Sequence, residues 1–256
     1  MKTEDPKRTS SNIHSVKLFL FFLLSLAAHA ADEGSRTCRI LFLDGTDDGP
    51  EKLQLFDGTS SQEVELTRMG FSPTYKIIPG DLTLTLLPKP PPPPATAGDP
   101  PVIPPDAPKA LLAAAISDFY LIVSSDTSNK VAPVKIQIVN ASADKFKLGQ
   151  MLWFNLTESK IGGIVGSQKL ALAPNSRLIL EAPATKLEDY HVNIQFIPPG
   201  KQRVEPLCET NWSHNPRSRS VYFVVNTGGI LPRIFGFPDF RQPQKKAKEG
   251  TLSGLP

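Results

Sequence analysis

Apolar and polar positions alternate in short runs over most of the chain. In "LTLTLL" (82–87), Leu82, Leu84 and Leu86 point to one side of an extended backbone and Thr83 and Thr85 to the other, so one register buries the leucines and leaves the hydroxyls wet. The same pattern predicts strands at 39–44, 52–56, 63–67, 74–78 and 82–87, then at 119–125, 134–140, 150–157, 168–173, 177–182, 190–197 and 220–226, each bounded by Gly, Pro, Asp or Ser. Pro79-Gly80 reads as a tight turn joining 74–78 to 82–87 as a hairpin, with Gly80 supplying a positive φ. The stretch 107–119 is the one helix candidate, and it is alanine-rich rather than amphipathic. Many short strands separated by turn residues predict an all-β fold of the sandwich or barrel kind.

Laid against itself, the chain matches in three segments. "ILFLDGTDD" (40–48) meets "IQIVNASAD" (136–144) at an offset of 96, "LFDGT" (55–59) meets "WFNLT" (153–157) at 98, and "YKIIPGDLTLTLLP" (75–88) meets "LALAPNSRLILEAP" (170–183) at 95. The last match sets Gly80 on Asn175, the two residue types that best tolerate a left-handed turn. Three segments in one order predict two tandem immunoglobulin-like antiparallel β-sandwich units, at 37–131 and 132–240. The proline-rich stretch 88–108, with eleven prolines in twenty-one positions, then becomes a loop inserted in the first unit, at the place of 182–189 in the second. The same stretch also reads as a ligand for a proline-recognising groove.

Composition adds a location. Lys2, Lys7, Arg8 and Lys17 precede the eleven-residue apolar run 18–28, and Ala28-His29-Ala30 closes it, the pattern of a cleavable signal peptide over 1–30. The run is short of the roughly 20 residues a membrane span requires, so the expected destination is the periplasm or the extracellular space. Removing the four basic and two acidic residues of 1–30 lowers the formal charge from +3 to +1, which gives nucleic acid no basic face to bind. Residues 241–256 hold four basic and one acidic residue without apolar periodicity and read as a disordered basic tail.

Candidate chemistry is sparse. Cys38 and Cys208 are candidates for a disulfide tying the first strand to a late one. With His191 and His214 they show no metal-ligand spacing, and no cofactor motif is present. The acidic stretch from Asp44 has a glycine at the sixth position of a calcium loop but Leu55 at the twelfth. His191 should point outward from its strand, opposite Val192, Ile194 and Phe196. His214, on a loop beside Trp212, is the better centre for a site, although no Gly-x-Ser-x-Gly elbow accompanies it. Trp212, Phe235, Phe237 and Phe240 are the candidate binding aromatics, the last three lying beyond the last clear strand.

The signal peptide, the opening "RILFLDG", the Tyr-x-x-x-Pro-Gly turn, the proline-rich insert, "VNAS", "FNLT" and the closing aromatic-arginine segment together resemble uncharacterised bacterial secreted β-sandwich proteins. That resemblance implies fold and export only. The residues themselves argue for a non-catalytic structural or binding module of the envelope or extracellular space, with another envelope protein or a carbohydrate as partner. The competing reading is a secreted hydrolase with its site around His214.

Overall fold

The computed structural model describes residues 36–45, 49–94, 96, 99–229 and 231–240. The signal peptide expected over 1–30 and the tail expected over 241–256 lie outside the described residues. The described chain holds sixteen strands and no helix. The first eight are β1 (Arg36–Phe42), β2 (Lys52–Phe56), β3 (Ser61–Glu65), β4 (Tyr75–Ile77), β5 (Leu82–Leu87), β6 (Lys109–Leu112), β7 (Asp118–Ser125) and β8 (Val134–Asn140). The second eight are β9 (Met151–Asn155), β10 (Lys160–Val165), β11 (Gln168–Leu172), β12 (Ser176–Leu180), β13 (Glu188–Ile197), β14 (Glu205–His214), β15 (Ser218–Val225) and β16 (Arg233–Phe240).

They form four sheets of four strands. Sheet 1 has the order β3-β2-β5-β6, sheet 2 β4-β1-β7-β8, sheet 3 β12-β9-β15-β16 and sheet 4 β11-β10-β13-β14. Adding eight to every strand number of sheets 1 and 2 reproduces sheets 4 and 3. Pairing directions follow: β1 runs parallel to β7, β9 runs parallel to β15, and the remaining pairs are antiparallel. A parallel pair in the middle of a sheet is not the strand order of an immunoglobulin constant domain, whose two sheets run ABED and CFG.

Three apolar clusters set the layering. Ile40, Phe42, Leu55, Val64, Leu84 and Leu121 close sheet 1 on sheet 2. Trp153, Val192, Ile194 and Val224 close sheet 3 on sheet 4. Leu41, Tyr120, Ile122, Phe154, Val221 and Phe223 fill the space between sheets 2 and 3. Sheets 2 and 3 are therefore covered on both faces, which is why β9 is buried at all five positions and the centre of β7 shows no alternation.

Between sheets 2 and 3 lies a charged network. Asp239 of β16 is fully buried; it pairs with Arg39 of β1 and with Arg219 of β15 (2.8 Å), and it accepts a hydrogen bond from the Tyr120 hydroxyl (2.5 Å). Arg219 also reaches Asp118 at 3.1 Å and donates to the carbonyls of Ala141 and Phe146. Every charge here has a counter-charge and filled hydrogen-bond positions, the condition under which ions survive burial.

Several sequence expectations are corrected. Ile40 sits in β1 and Ile136 in β8, so the offset of 96 does not join equivalent places. The equivalent of Ile40 is Trp153: Ile40 pairs with Leu121 across the parallel strands as Trp153 pairs with Tyr222. β8 pairs with β7, so Val134–Asn140 belong with sheet 2, and the sheet sets divide between β8 and β9 rather than at 131/132. Tyr75–Ile77 and Leu82–Leu87 do not form a hairpin; they lie in different sheets, and the turn between them carries the chain across. Gly80 does have a positive φ of 104°, and Asn175 is the only non-glycine residue with positive φ among the described residues. The helix candidate over 107–119 is β6 followed by a turn, because β6 is hydrogen-bonded to β5. Residues 88–108 connect β5 to β6, which matches the connection 198–204 between β13 and β14 rather than 182–189.

Candidate functional site: an uncharged cleft at the open edge of sheets 3 and 4

The edges of the two sheet pairs differ. In the first, β6 of sheet 1 packs against β8 of sheet 2 and closes the edge. In the second, β14 and β16 do not pack together in this way, and a cavity of about 550 Å³ opens between them. That volume lies within the range of small-molecule sites, roughly 300–1,000 Å³.

Its walls follow from strand alternation. Trp212 and His214, two residues apart on β14, face sheet 3 from the outer strand of sheet 4, while Tyr190 of β13 pairs with Trp212. β15 contributes Ser220 and Tyr222, and β16 contributes Gly236, Phe237 and Phe240. Tyr222 stacks on Trp153 at 4.4 Å between ring centres and on Trp212 at 4.9 Å, and Tyr190 meets Trp212 edge-on at 6.4 Å. Gly236 lets this stack form, since a Cβ there would lie 2.7 Å from the Tyr222 ring. The Tyr190 hydroxyl donates to Met151 Sδ at 3.6 Å, and burial pushes both the Tyr190 and Tyr222 phenols up, Tyr190 further, so both keep their protons.

His214 is 5% exposed. Its imidazole is hydrogen-bonded to the backbone carbonyl of Ala184, while Nε2 is buried without a partner. Nε2 is thus the ring nitrogen whose hydrogen bond is unmet. Burial holds the imidazole below its ordinary value of 6.5; the opposing influences of Ala184 and of Glu188, its cross-strand partner, are smaller. None of the described residues lining the cleft is Asp, Glu, Lys or Arg.

The sequence-nominated residues separate. Trp212, Phe237, Phe240 and His214 all line this cleft. Phe235 faces a second cavity of about 930 Å³ between sheets 2 and 3, whose walls include Ile122, Phe154 and Phe223. Cys38 and Cys208 are both free, one in the core of sheets 1 and 2 and the other against the core of sheets 3 and 4, so the disulfide is absent. His191 points outward, opposite the buried Val192, Ile194 and Phe196, and sits 3.9 Å from the exposed Glu209. No group of three or more metal-ligating side chains occurs among the described residues. The sequence reading missed Tyr190, Ser220 and Gly236; Tyr222, an aromatic at alternation spacing on a strong strand, carries a signal that marks core as readily as cleft.

No protein-family model matches the chain, and no curated protein matches it in sequence. The class is thus defined by the fold alone: the described residues form an all-β structure of four sheets, mostly antiparallel, with an uncharged cleft at one edge.

Proposed function

We propose that the chain is an exported, non-catalytic binding protein of the cell envelope or extracellular space, built from two tandem β-sandwich units of shared strand order, and that the second unit holds the ligand in its edge cleft. Export rests on the residue pattern of 1–30. The tandem reading is supported by the strand orders, which differ by eight throughout. The observation that carries the binding role is an uncharged, aromatic-lined cavity with His214 in its wall, whose buried Nε2 has no hydrogen-bond partner. Leaving such an atom unpaired costs about 1–3 kcal/mol, and a ligand donor recovers it.

A hydrolase at this place needs a carboxylate to orient and charge the imidazole. Here the Ala184 carbonyl does the orienting. Glu188, the cross-strand partner of His214, acts on it only through charge and more weakly than burial does, Asp189 accepts from Ser213 Oγ at 2.6 Å, and Glu209 faces His191 on the outer surface. The deciding experiment compares the protein with His214→Phe in two assays, turnover of chromogenic ester, peptide and glycoside substrates, and thermal shift against a small-molecule library. Ligands that raise Tm only when His214 is present, without turnover, are expected. Turnover abolished by His214→Phe would replace the binding role with the hydrolase.

A further inference from the structure

We infer that the ligand of the edge cleft is a neutral saccharide. This deepens the proposed binding role and rests on the cleft being the ligand site. Three features of the walls converge on that chemistry. First, His214 lines the cavity and its buried Nε2 has no partner, and an O–H group, which can both donate and accept, satisfies a ring nitrogen in either tautomer. Second, no charged side chain lines the cavity, so an ionic ligand would surrender its water without gaining a counter-charge. Third, the remaining wall is aromatic: Trp212 and Tyr222 are half-buried in it, and Phe240 at its rim is 58% exposed. A sugar ring joins these demands in one molecule, with hydroxyl donors around its edge, apolar C–H faces to lie on aromatic rings, and no charge. Asn211, exposed on β14, supplies an uncharged hydrogen-bonding side chain for a neighbouring sugar unit. The equivalent edge of the first sheet pair, closed by β6 on β8, offers no such place among the described residues.

The two tryptophans of the chain, Trp153 and Trp212, stand 5.9 Å apart beside the cleft, so intrinsic fluorescence reports directly on it. The protein is excited at about 295 nm, where tryptophan alone absorbs, and titrated with cellohexaose, N-acetylchitohexaose, hexagalacturonate and N-acetyl-phenylalaninamide. Saturable fluorescence change with at least one of the two neutral hexasaccharides and none with hexagalacturonate is expected. His214→Phe, which keeps an aromatic ring but removes the imidazole nitrogens, and Phe240→Ala, which removes a largely exposed ring at the rim, should each weaken binding about tenfold. Hexagalacturonate binding as tightly as the neutral sugars, or neutral binding unchanged in both variants, overturns the inference. If only N-acetyl-phenylalaninamide binds, and does so through His214, the saccharide is wrong while the binding site stands. If no probe moves either the fluorescence or the His214 imidazole resonances, the site and the saccharide fall together.

Discussion

Arg39 and Asp239, 200 residues apart in sequence, form an ion pair that joins β1 in sheet 2 to β16 in sheet 3. The contact sets the register between the two sheet pairs, because Asp239 has no exposure and is held by Arg39, Arg219 and Tyr120 together. Removing one partner from such a group strands the others without a counter-charge. Asp239→Asn is therefore expected to cost about 3–5 kcal/mol in urea unfolding, whereas Tyr120→Phe, which deletes one donor to the carboxylate, should cost about 1.5–3 kcal/mol. Equal or negligible losses would show that the apolar contact between sheets 2 and 3 holds the pairs in register without the charges.

The two cysteines give a second test. Burial pushes the Cys38 thiol up strongly, with the charge of Asp118 adding to it, and burial also raises Cys208. Thiolate is the reactive form, so neither should react readily in the native protein, and Cys38, with no exposure, should be the slower. Ellman's reagent in urea without reductant should then count two thiols per chain. A count of zero would mean that the cysteines had paired.

Strand positions were legible in the sequence where one face was buried. The limits of β2, β5 and β8 match the alternating runs to the residue. β10, with its two glycines, and β14, with Pro206 and a largely exposed polar face, left no such signature. The repeat was legible only in outline, for a physical reason. Asp57 accepts hydrogen bonds from the amides of Thr59 and Ser60, and Asn155 accepts from the amide and hydroxyl of Thr157, so both stop a strand by the same local turn. Matching these turns shifted the comparison by one strand, since Asp57 follows β2 whereas Asn155 ends β9, the counterpart of β1. Within the site, four candidates nominated from sequence do meet at the cleft, while its aromatic stack depends on pairing between strands far apart in the chain and could not be read locally.

Gly163 separates steric from conformational demand for glycine. A Cβ at this position would lie 2.1 Å from the Asn193 carbonyl oxygen, with φ at +145°, where β10 pairs with β13. Backbone cannot yield as a side-chain tip does, so Gly163→Ala should break this pairing and loosen sheet 4. At Gly58, φ is +98° but nothing lies within 4 Å, and Gly58→Ala should cost only about 1 kcal/mol for the strained backbone. Hydrogen exchange resolves the two: protection lost along β10 and β13 in the first variant and kept in the second. Matching exchange patterns would mean that the close approach at Gly163 does not constrain the sheet.

His214 makes a signed prediction about acid. Burial holds its native pKa below the ordinary 6.5, so between the two values the unfolded chain takes up a proton that the folded protein does not. Proton uptake by the unfolded state favours unfolding. The stability linked to His214 is therefore complete above pH 6.5, declines as the pH falls from 6.5 toward the native pKa, and levels off below it. His214→Phe removes this component, so the difference in urea midpoint between wild type and variant should change in favour of the variant as the pH falls through that window. A saturating ligand that donates to Nε2 competes with the proton for the same lone pair, so it should push the His214 titration, followed by its imidazole carbon-bound protons, further down. A titration unmoved by ligand would place the bound molecule away from Nε2.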